Sequence, residues 1–309
     1  MKFKIDTVLP KYPFEITHDS KIALLGSCFS DEIAQKLNHA GWNVCSNPFG
    51  TIFHPSPLSE CILGNVFRVF KAQNSNYYSS WSVAHSLKCQ SEEEFRSELI
   101  KRHENFQRLM KELDVLFVTF GTGFGYRLKE DGKIAANCHK EHTSFFEKEL
   151  TEAQQMIQEW EVVLGYLKEL NPTLKIVCTI SPVRHIKDGV IENNFSKARL
   201  FELVGALLEN ENVYYFPSYE LVTDELRDYR FYKKDLVHPN DIAVEYVWEH
   251  FAHSFFTSAT KEIVNAVSKF KDFEHHRIVS NDQSEISAFK LAVQEKKTKL
   301  LKLYPNIQL

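Results

Sequence analysis

The sequence predicts an α/β protein, a parallel sheet covered by helices on both faces. Two observations carry that expectation. Strand-like and helix-like segments alternate at least four times, the pattern of a parallel sheet built from crossover units. The strand-like segments are short and almost purely apolar, as strands buried on both faces are.

The elements can be taken in order. Ile22 to Leu25 is an apolar run bounded by polar residues and reads as the first buried strand. Ser30-Asp31-Glu32 then opens a helix with apolar Ile33, Ala34 and Leu37, and its acidic first turn suits the positive end of the helix dipole. Gly41 is its stop. "WNVCS" reads as a second strand, and "NPFGTIFHPSP", rich in turn formers, as a loop. "SEEEFRSELIKRHENFQRLMKEL" has helical spacing with Ser91 as N-cap. "DVLFVTFGTGFGY" is the clearest buried strand and ends in glycines. Residues 144–170 read as helical, ended by Asn171-Pro172. "LKIVCTISP" is a further buried strand, followed by a helix over 194–208, a strand "VYYFP" and a short helix "SYELVTDEL". The aromatic cluster "YYFPSY" reads as core and strand rather than as a stacking platform. "HPND" before "IAVEYVWEHF" marks a helix start near Asn240.

After about Thr257 the texture changes to two amphipathic helices, "KEIVNAVSKFKDF" and "SEISAFKLAVQEKKTKLLKLY", with no strand between them. The expected organisation is one α/β domain over 1–256 and a helical C-terminal extension, 257–309, packed on it rather than serving as an oligomerisation arm. The charged run "QEKKTKLLK" reads as a solvated helix face.

Composition narrows the function classes. The 309 residues are 43% hydrophobic and 25% charged, the mix of a soluble globular protein. A net charge near −4 with no basic stripe gives no sign of nucleic-acid binding. No run of about 18 apolar residues exists, so no membrane span is expected. The N-terminal "MKFKIDTVLPKYPFEI" lacks the apolar core of a secretory signal, which makes the cytoplasm the expected location. Six cysteines (Cys28, Cys45, Cys61, Cys89, Cys138 and Cys178) in a chain of this size are expected to be reduced. No C-x-x-C or H-E-x-x-H spacing occurs. His139 and His142, with Glu141 between, lack a third ligand at fixed spacing, so neither a metal nor a cofactor is expected.

In open parallel sheets, functional groups gather beyond the C-terminal ends of the strands. "GSCFS" lies at such an end. Ser27 there is either a nucleophile, exposed at the sheet edge beside the N–H groups of a helix start, or a cap of that helix. Cys28 is either a thiol nucleophile or a small packing residue, and it faces away from Ser27 because adjacent residues leaving a strand point to opposite sides. In "YRFYKKDLVHPND", Asp235 and His238 have D-x-x-H spacing, which puts a carboxylate near an imidazole within one turn. By itself that segment is also readable as an ordinary polar loop. Ser181, Arg184 and His185 follow a buried strand and so lie at the same edge, where Arg184 either holds an acidic group or pairs with Asp188.

A serine after the first strand, together with Asp-x-x-His before a late helix, resembles the SGNH/GDSL hydrolase superfamily, and more narrowly the GSCFA family, whose motif reads "GSCFS" here. The blocks "NPFGTIFHP", "FVTFGTGFGY", "ANCHK", "SPVRHIKDGVIENNFSK" and "YFPSYELVTDELRDYRFYKKDLVHP" extend the resemblance from about Gly26 to Pro239. It implies a flavodoxin-like α/β/α sandwich with a central parallel sheet. It also implies a serine-hydrolase triad with Ser27 as nucleophile, His238 as base and Asp235 as orienting group. Cys28 then becomes a packing residue.

The implied oxyanion donors are the N–H groups of Ser27 and Gly50. The superfamily's G-x-N-D block reads Gly121-Thr122-Gly123-Phe124 here, without its asparagine, leaving Asn47, Thr122 or Asn137 to replace that side chain. His85, Asn137, His139, Arg184 and His185 are the candidates for substrate contact, the histidines being equally readable as ordinary hydrogen-bonding residues. The implied substrate is a small-molecule or carbohydrate ester, with removal of acetyl-type acyl groups. Acyl transfer by the same triad, and a non-catalytic binding role, are the alternatives.

Overall fold

Five parallel strands form the central sheet of the computed structural model, which describes residues 4–73, 76–275 and 282–309. Strand β1 (Ile22–Gly26) is buried along its whole length and runs into helix α1 (Cys28–His39), capped by Ser27. β2 (Cys45–Ser46) is a short edge strand, and α2 (Pro55–Leu63) starts on a proline, which is pre-set for a first helical position. β3 (Val69–Lys71) and β4 (Tyr78–Ser80) make a separate antiparallel pair. α3 (Glu92–Met110) is capped by Ser91, whose hydroxyl accepts from Glu94 N–H at 3.2 Å.

β5 (Val115–Phe120) follows, then a three-stranded antiparallel sheet of β6 (Phe124–Leu128), β7 (Ile134–Ala135) and β8 (Phe146–Leu150). The chain continues through α4 (Ala153–Leu170), β9 (Lys175–Ile180), α5 (Val190–Leu207), β10 (Val213–Tyr215) and the single turn α6 (Ser218–Glu220). It ends in α7 (Asp241–Phe255), capped by Asn240, α8 (Ser258–Glu274) and α9 (Gln283–Leu303).

The central order is β10-β9-β5-β1-β2, with every pairing parallel. Successive connections run one way from β1 to β2 and the other way from β5 to β10, so the chain reverses between β1 and β5. The crevice at such a reversal is where open α/β sheets bind ligands. One face of the sheet packs against Phe95, Phe106, Trp160 and Leu200 of α3, α4 and α5. The other packs against Phe29, Ile33 and Leu37 of α1 and Val247, Phe251 and Phe255 of α7. This is the α/β architecture expected from the alternating apolar runs.

Three local expectations change. The α-helix expected from 144 does not start there: Thr143–Phe145 is a single 3-10 turn, and Phe146–Leu150 pairs antiparallel with β6, burying Phe146 while Glu147 and Lys148 stay exposed. The run "VLFVTFGTGFGY" is two strands in different sheets, divided at Gly121-Thr122-Gly123. The helix expected from 194 begins at Val190, after Gly189 at φ +110°. All six cysteines are free. Among the described residues no helix is long and apolar enough to cross a membrane.

Gly26 sets how the chain leaves β1. Its φ is +121°, and a Cβ there would lie 2.1 Å from the Thr119 carbonyl oxygen. Gly26→Ala is therefore expected to destabilise the protein by on the order of 3 kcal/mol, read from the denaturant midpoint, because backbone rather than a flexible side chain must move.

Candidate active site

The end of β1 is shaped by a small polar network. Asn47 Oδ1 accepts from Gly26 N–H at 2.8 Å, and Asn47 Nδ2 donates to Asp31 Oδ1 at 2.9 Å. The same Asp31 accepts from Ser46 Oγ and Thr51 Oγ1. One carboxylate in the first turn of α1 thus fixes the whole 46–51 loop against β1. From the sequence Asp31 reads only as a charge favoured by the helix dipole, and its three loop partners give no sequence signal. Ser30 completes the junction: its Oγ donates to Leu25 O at 2.9 Å and lies 2.7 Å from the Thr119 hydroxyl.

Ser27 sits in this junction with only 1% exposure, not exposed at the sheet edge as expected. Its Oγ accepts from Phe29 N–H at 3.3 Å, the capping arrangement. Cys28, the first residue of α1, is half-buried; burial, then the Asp31 and Glu32 carboxylates, push its thiol pKa up. A thiol raised in this way is a poor source of thiolate.

Asp235 and His238 form a tight pair. His238 Nδ1 is 2.7 Å from Asp235 Oδ2, while Asp235 Oδ1 accepts from His238 N–H at 3.0 Å and Val237 N–H at 2.9 Å. Those two backbone donors, then the imidazole, hold the carboxyl at about 2, below its ordinary 3.8. The sign follows directly: a depressed carboxyl stabilises the fold above its ordinary value, and that contribution fades as pH falls through about 2. An ionised Asp235 keeps the proton on Nδ1 and leaves Nε2 as the acceptor.

The turn itself is strained, because Leu236 has φ +61°. Leu236→Val is expected to disturb the pair, since a β-branched residue resists this conformation by about 1 kcal/mol more, whereas Leu236→Gly relaxes it. The His238 ring NMR shifts against pH would report the difference.

The pair lies near the α1 start. Lys233, two residues before Asp235, meets Glu32 of α1 at 3.3 Å, and its charge reaches the Cys28 thiol. His185 feels the charge of His238 as well as that of Lys197. Among the described residues no hydrogen bond joins Ser27 Oγ to His238.

The expected oxyanion donors are committed elsewhere. Ser27 N–H donates to Thr119 O at 3.0 Å, continuing the sheet ladder, and Gly50 N–H donates to Asn47 O at 2.7 Å. Asn47 uses its amide as described above. Thr122 Oγ1 lies 3.0 Å from Ser196 Oγ and accepts from Phe124 N–H, and Asn137 Oδ1 caps His139 N–H at 2.7 Å. In the first turn of α1, Phe29 N–H is held by Ser27 Oγ at 3.3 Å and Ser30 N–H by Ser27 O at 2.8 Å.

The substrate candidates divide into two groups. Arg184 and His185 lie at the sheet edge. Arg184 stands over the Tyr232 ring at 5.9 Å, and Asp188 pairs with Lys148 instead of with it. Burial, then Lys197, hold the His185 imidazole at about 4, and its Nε2 is buried with no hydrogen-bond partner among the described residues. His85 and His139 instead belong to an aromatic cluster with Trp81 and Phe70 on the smaller sheets. Ala84 and Ser86, on either side of His85, pack against Gly50, and Ala84 N–H donates to Phe49 O at 3.0 Å. Among the described residues no group of three potential metal ligands forms.

Solved structures similar to this chain include a family 3 carbohydrate esterase from Talaromyces cellulolyticus, 9% identical over 81% of this chain and 99% of that one, with a TM-score of 0.36. Another is the periplasmic domain of a lipopolysaccharide acetyltransferase from Salmonella ser. Paratyphi A, 9% identical over 77% of this chain and 84% of that one, with a TM-score of 0.37. No curated protein matches the sequence. The GSCFA family model matches residues 21–251, a span that holds Ser27, the Asp31 network, Asp235 and His238. The chain belongs to the GSCFA family.

Proposed function

We propose that the protein is a serine-dependent acyl-ester hydrolase acting on an acylated carbohydrate or small-molecule ester, with Ser27 as nucleophile, His238 as general base and Asp235 as orienting group. The observation that carries this reading is the 2.7 Å bond between His238 Nδ1 and Asp235, next to the helix start where Ser27 sits. Ser27 Oγ leaves its capping bond and attacks the ester carbonyl carbon. Its proton passes to His238 Nε2, and the carbonyl electrons move onto oxygen. Collapse of the adduct expels the alcohol, which takes the proton from His238. Water, deprotonated by the same nitrogen, then attacks the acyl carbon, and His238 returns that proton to Ser27 Oγ as the acid leaves. The Asp235 carboxylate stabilises the imidazolium in both halves.

The test is rapid-mixing kinetics with p-nitrophenyl acetate. An acyl-enzyme route gives a burst of p-nitrophenol equal to the enzyme concentration, provided deacylation limits the rate, and an acetylated Ser27 on acid quench. An enzyme that hydrolyses the ester without ever carrying the acetyl group would refute the covalent route.

Transfer to a sugar hydroxyl is the second reading, favoured by one observation: Ser27 is 1% exposed, and a nucleophile shut away from water suits an acceptor other than water. Adding mono- and oligosaccharides to the same assay separates the two, because transfer yields acetylated sugar at the expense of acetate.

A further inference from the structure

Lys197 is an anomaly in the α/β core. It lies on α5 with 2% exposure, and among the described residues it forms no ion pair with a carboxylate. Its ammonium donates to Gly121 O at 2.7 Å and to Ser181 O at 2.7 Å, and it stands 5.9 Å from the centre of the Tyr219 ring. An ammonium has three donors, so one remains beyond the two carbonyls. A buried charge without a counter-ion is costly to hold, and a chain that needed only to tie two carbonyls has cheaper neutral donors.

Position gives the charge a use. Gly26 pairs with Thr119, and Phe120 pairs with Ile180, so Ser27, Gly121 and Ser181 leave three neighbouring strands at nearly the same level. Adjacent strands are about 4.8 Å apart and the ammonium bridges the ends of β5 and β9, so it lies roughly one and a half strand spacings, about 7 Å, across the sheet from Ser27. The Cys28 thiol lies close enough to act on the ionisation of Lys197. The helix face that carries Lys197 also organises this edge: Asn193 Oδ1 accepts from His185 N–H, and Ser196 Oγ accepts from Gly123 N–H. Burial pushes the lysine down to about 7, while the two carbonyl acceptors and an anion forming nearby favour its charged form.

Resting on the hydrolase reading above, we infer that the Lys197 ammonium supplies the positive charge that stabilises the oxyanion formed on Ser27 attack, in the role left open by the missing asparagine of Gly121-Thr122-Gly123. The electrons driven onto the carbonyl oxygen in that step make a full negative charge. The N–H donors expected at Ser27 and Gly50 are already bonded to Thr119 O and Asn47 O. A fixed cation under the β5 and β9 ends meets that charge without moving.

The experiment compares Lys197→Gln, Lys197→Met and Lys197→Arg with the wild type. Gln retains a donor for the carbonyls without the charge, Met keeps the volume, and Arg keeps the charge. Each is assayed for kcat and KM on p-nitrophenyl acetate and for binding of phenylboronic acid, which forms an anionic tetrahedral adduct with a serine. The expected result is a kcat about 100-fold lower for Gln and Met with KM within threefold, a matching loss of boronate affinity, and recovery to within tenfold by Arg. Two outcomes overturn the inference: Gln retains kcat within threefold, or Gln raises KM as much as it weakens boronate binding, as a merely structural clamp would. A wild type that neither hydrolyses the ester nor binds boronate overturns the hydrolase reading itself, and the inference with it.

Discussion

Ser27→Ala is expected to lower kcat on a simple ester by roughly 10⁴-fold or more, with the fold and thermal midpoint little changed. The hydroxyl is small, and among the described residues its one hydrogen bond is the cap to Phe29 N–H at 3.3 Å, so its loss costs about 1 kcal/mol of stability. The reaction, however, loses the hydroxyl that caps α1 where β1 ends. Ser30 is no substitute, because its Oγ already donates within the core and lies within 2.7 Å of Thr119 Oγ1. Cys28→Ala is the companion variant. Burial and two carboxylates keep that thiol protonated, so its removal is expected to change kcat by no more than a few-fold. The reverse ranking of the two variants would move the chemistry from Ser27 to Cys28.

Asp235→Asn carries the second large effect, expected at roughly 10²–10⁴-fold in kcat with KM nearly unchanged. The change is conservative in shape. The asparagine oxygen still accepts from the N–H groups of Val237 and His238, which now hold Asp235 Oδ1 at 2.9 and 3.0 Å. Its amide nitrogen then faces His238 Nδ1, and two donors cannot share that bond. The imidazole shifts its proton to Nε2, the nitrogen that must accept from Ser27. An unchanged kcat would mean that His238 does not depend on the carboxylate for its tautomer.

Much of this protein is legible from its sequence, and the exceptions have physical causes. The strands β1, β5 and β9 are buried on both faces, so continuous apolar composition announces them. Ser91 and Asn240 announce their helices because capping is local chemistry. β8 is hidden: "FEKEL" reads as the front of a helix, and only pairing with β6, between residues 18 to 26 apart in sequence, makes it a strand. Asp235 and His238 are legible because both partners lie within one turn. The environment of Ser27 is not, since its burial and the occupation of its N–H depend on Thr119 in a neighbouring strand. Lys197 hides for the same reason: nothing local distinguishes a lysine buried beneath two carbonyls from one on a solvated helix face. The Asp31 network and the free edge position of Arg184 likewise need the fold before they can be read.

A serine that carries the acyl group during catalysis also reacts with a fluorophosphonate. Treating the intact protein with that reagent, digesting it and locating the added mass by tandem mass spectrometry is expected to find one phosphonyl group per chain on Ser27, absent from Ser27→Ala, strongly slowed in His238→Ala and present in Cys28→Ala. A label on any other residue, or labelling that persists in Ser27→Ala, would contradict a covalent role for Ser27.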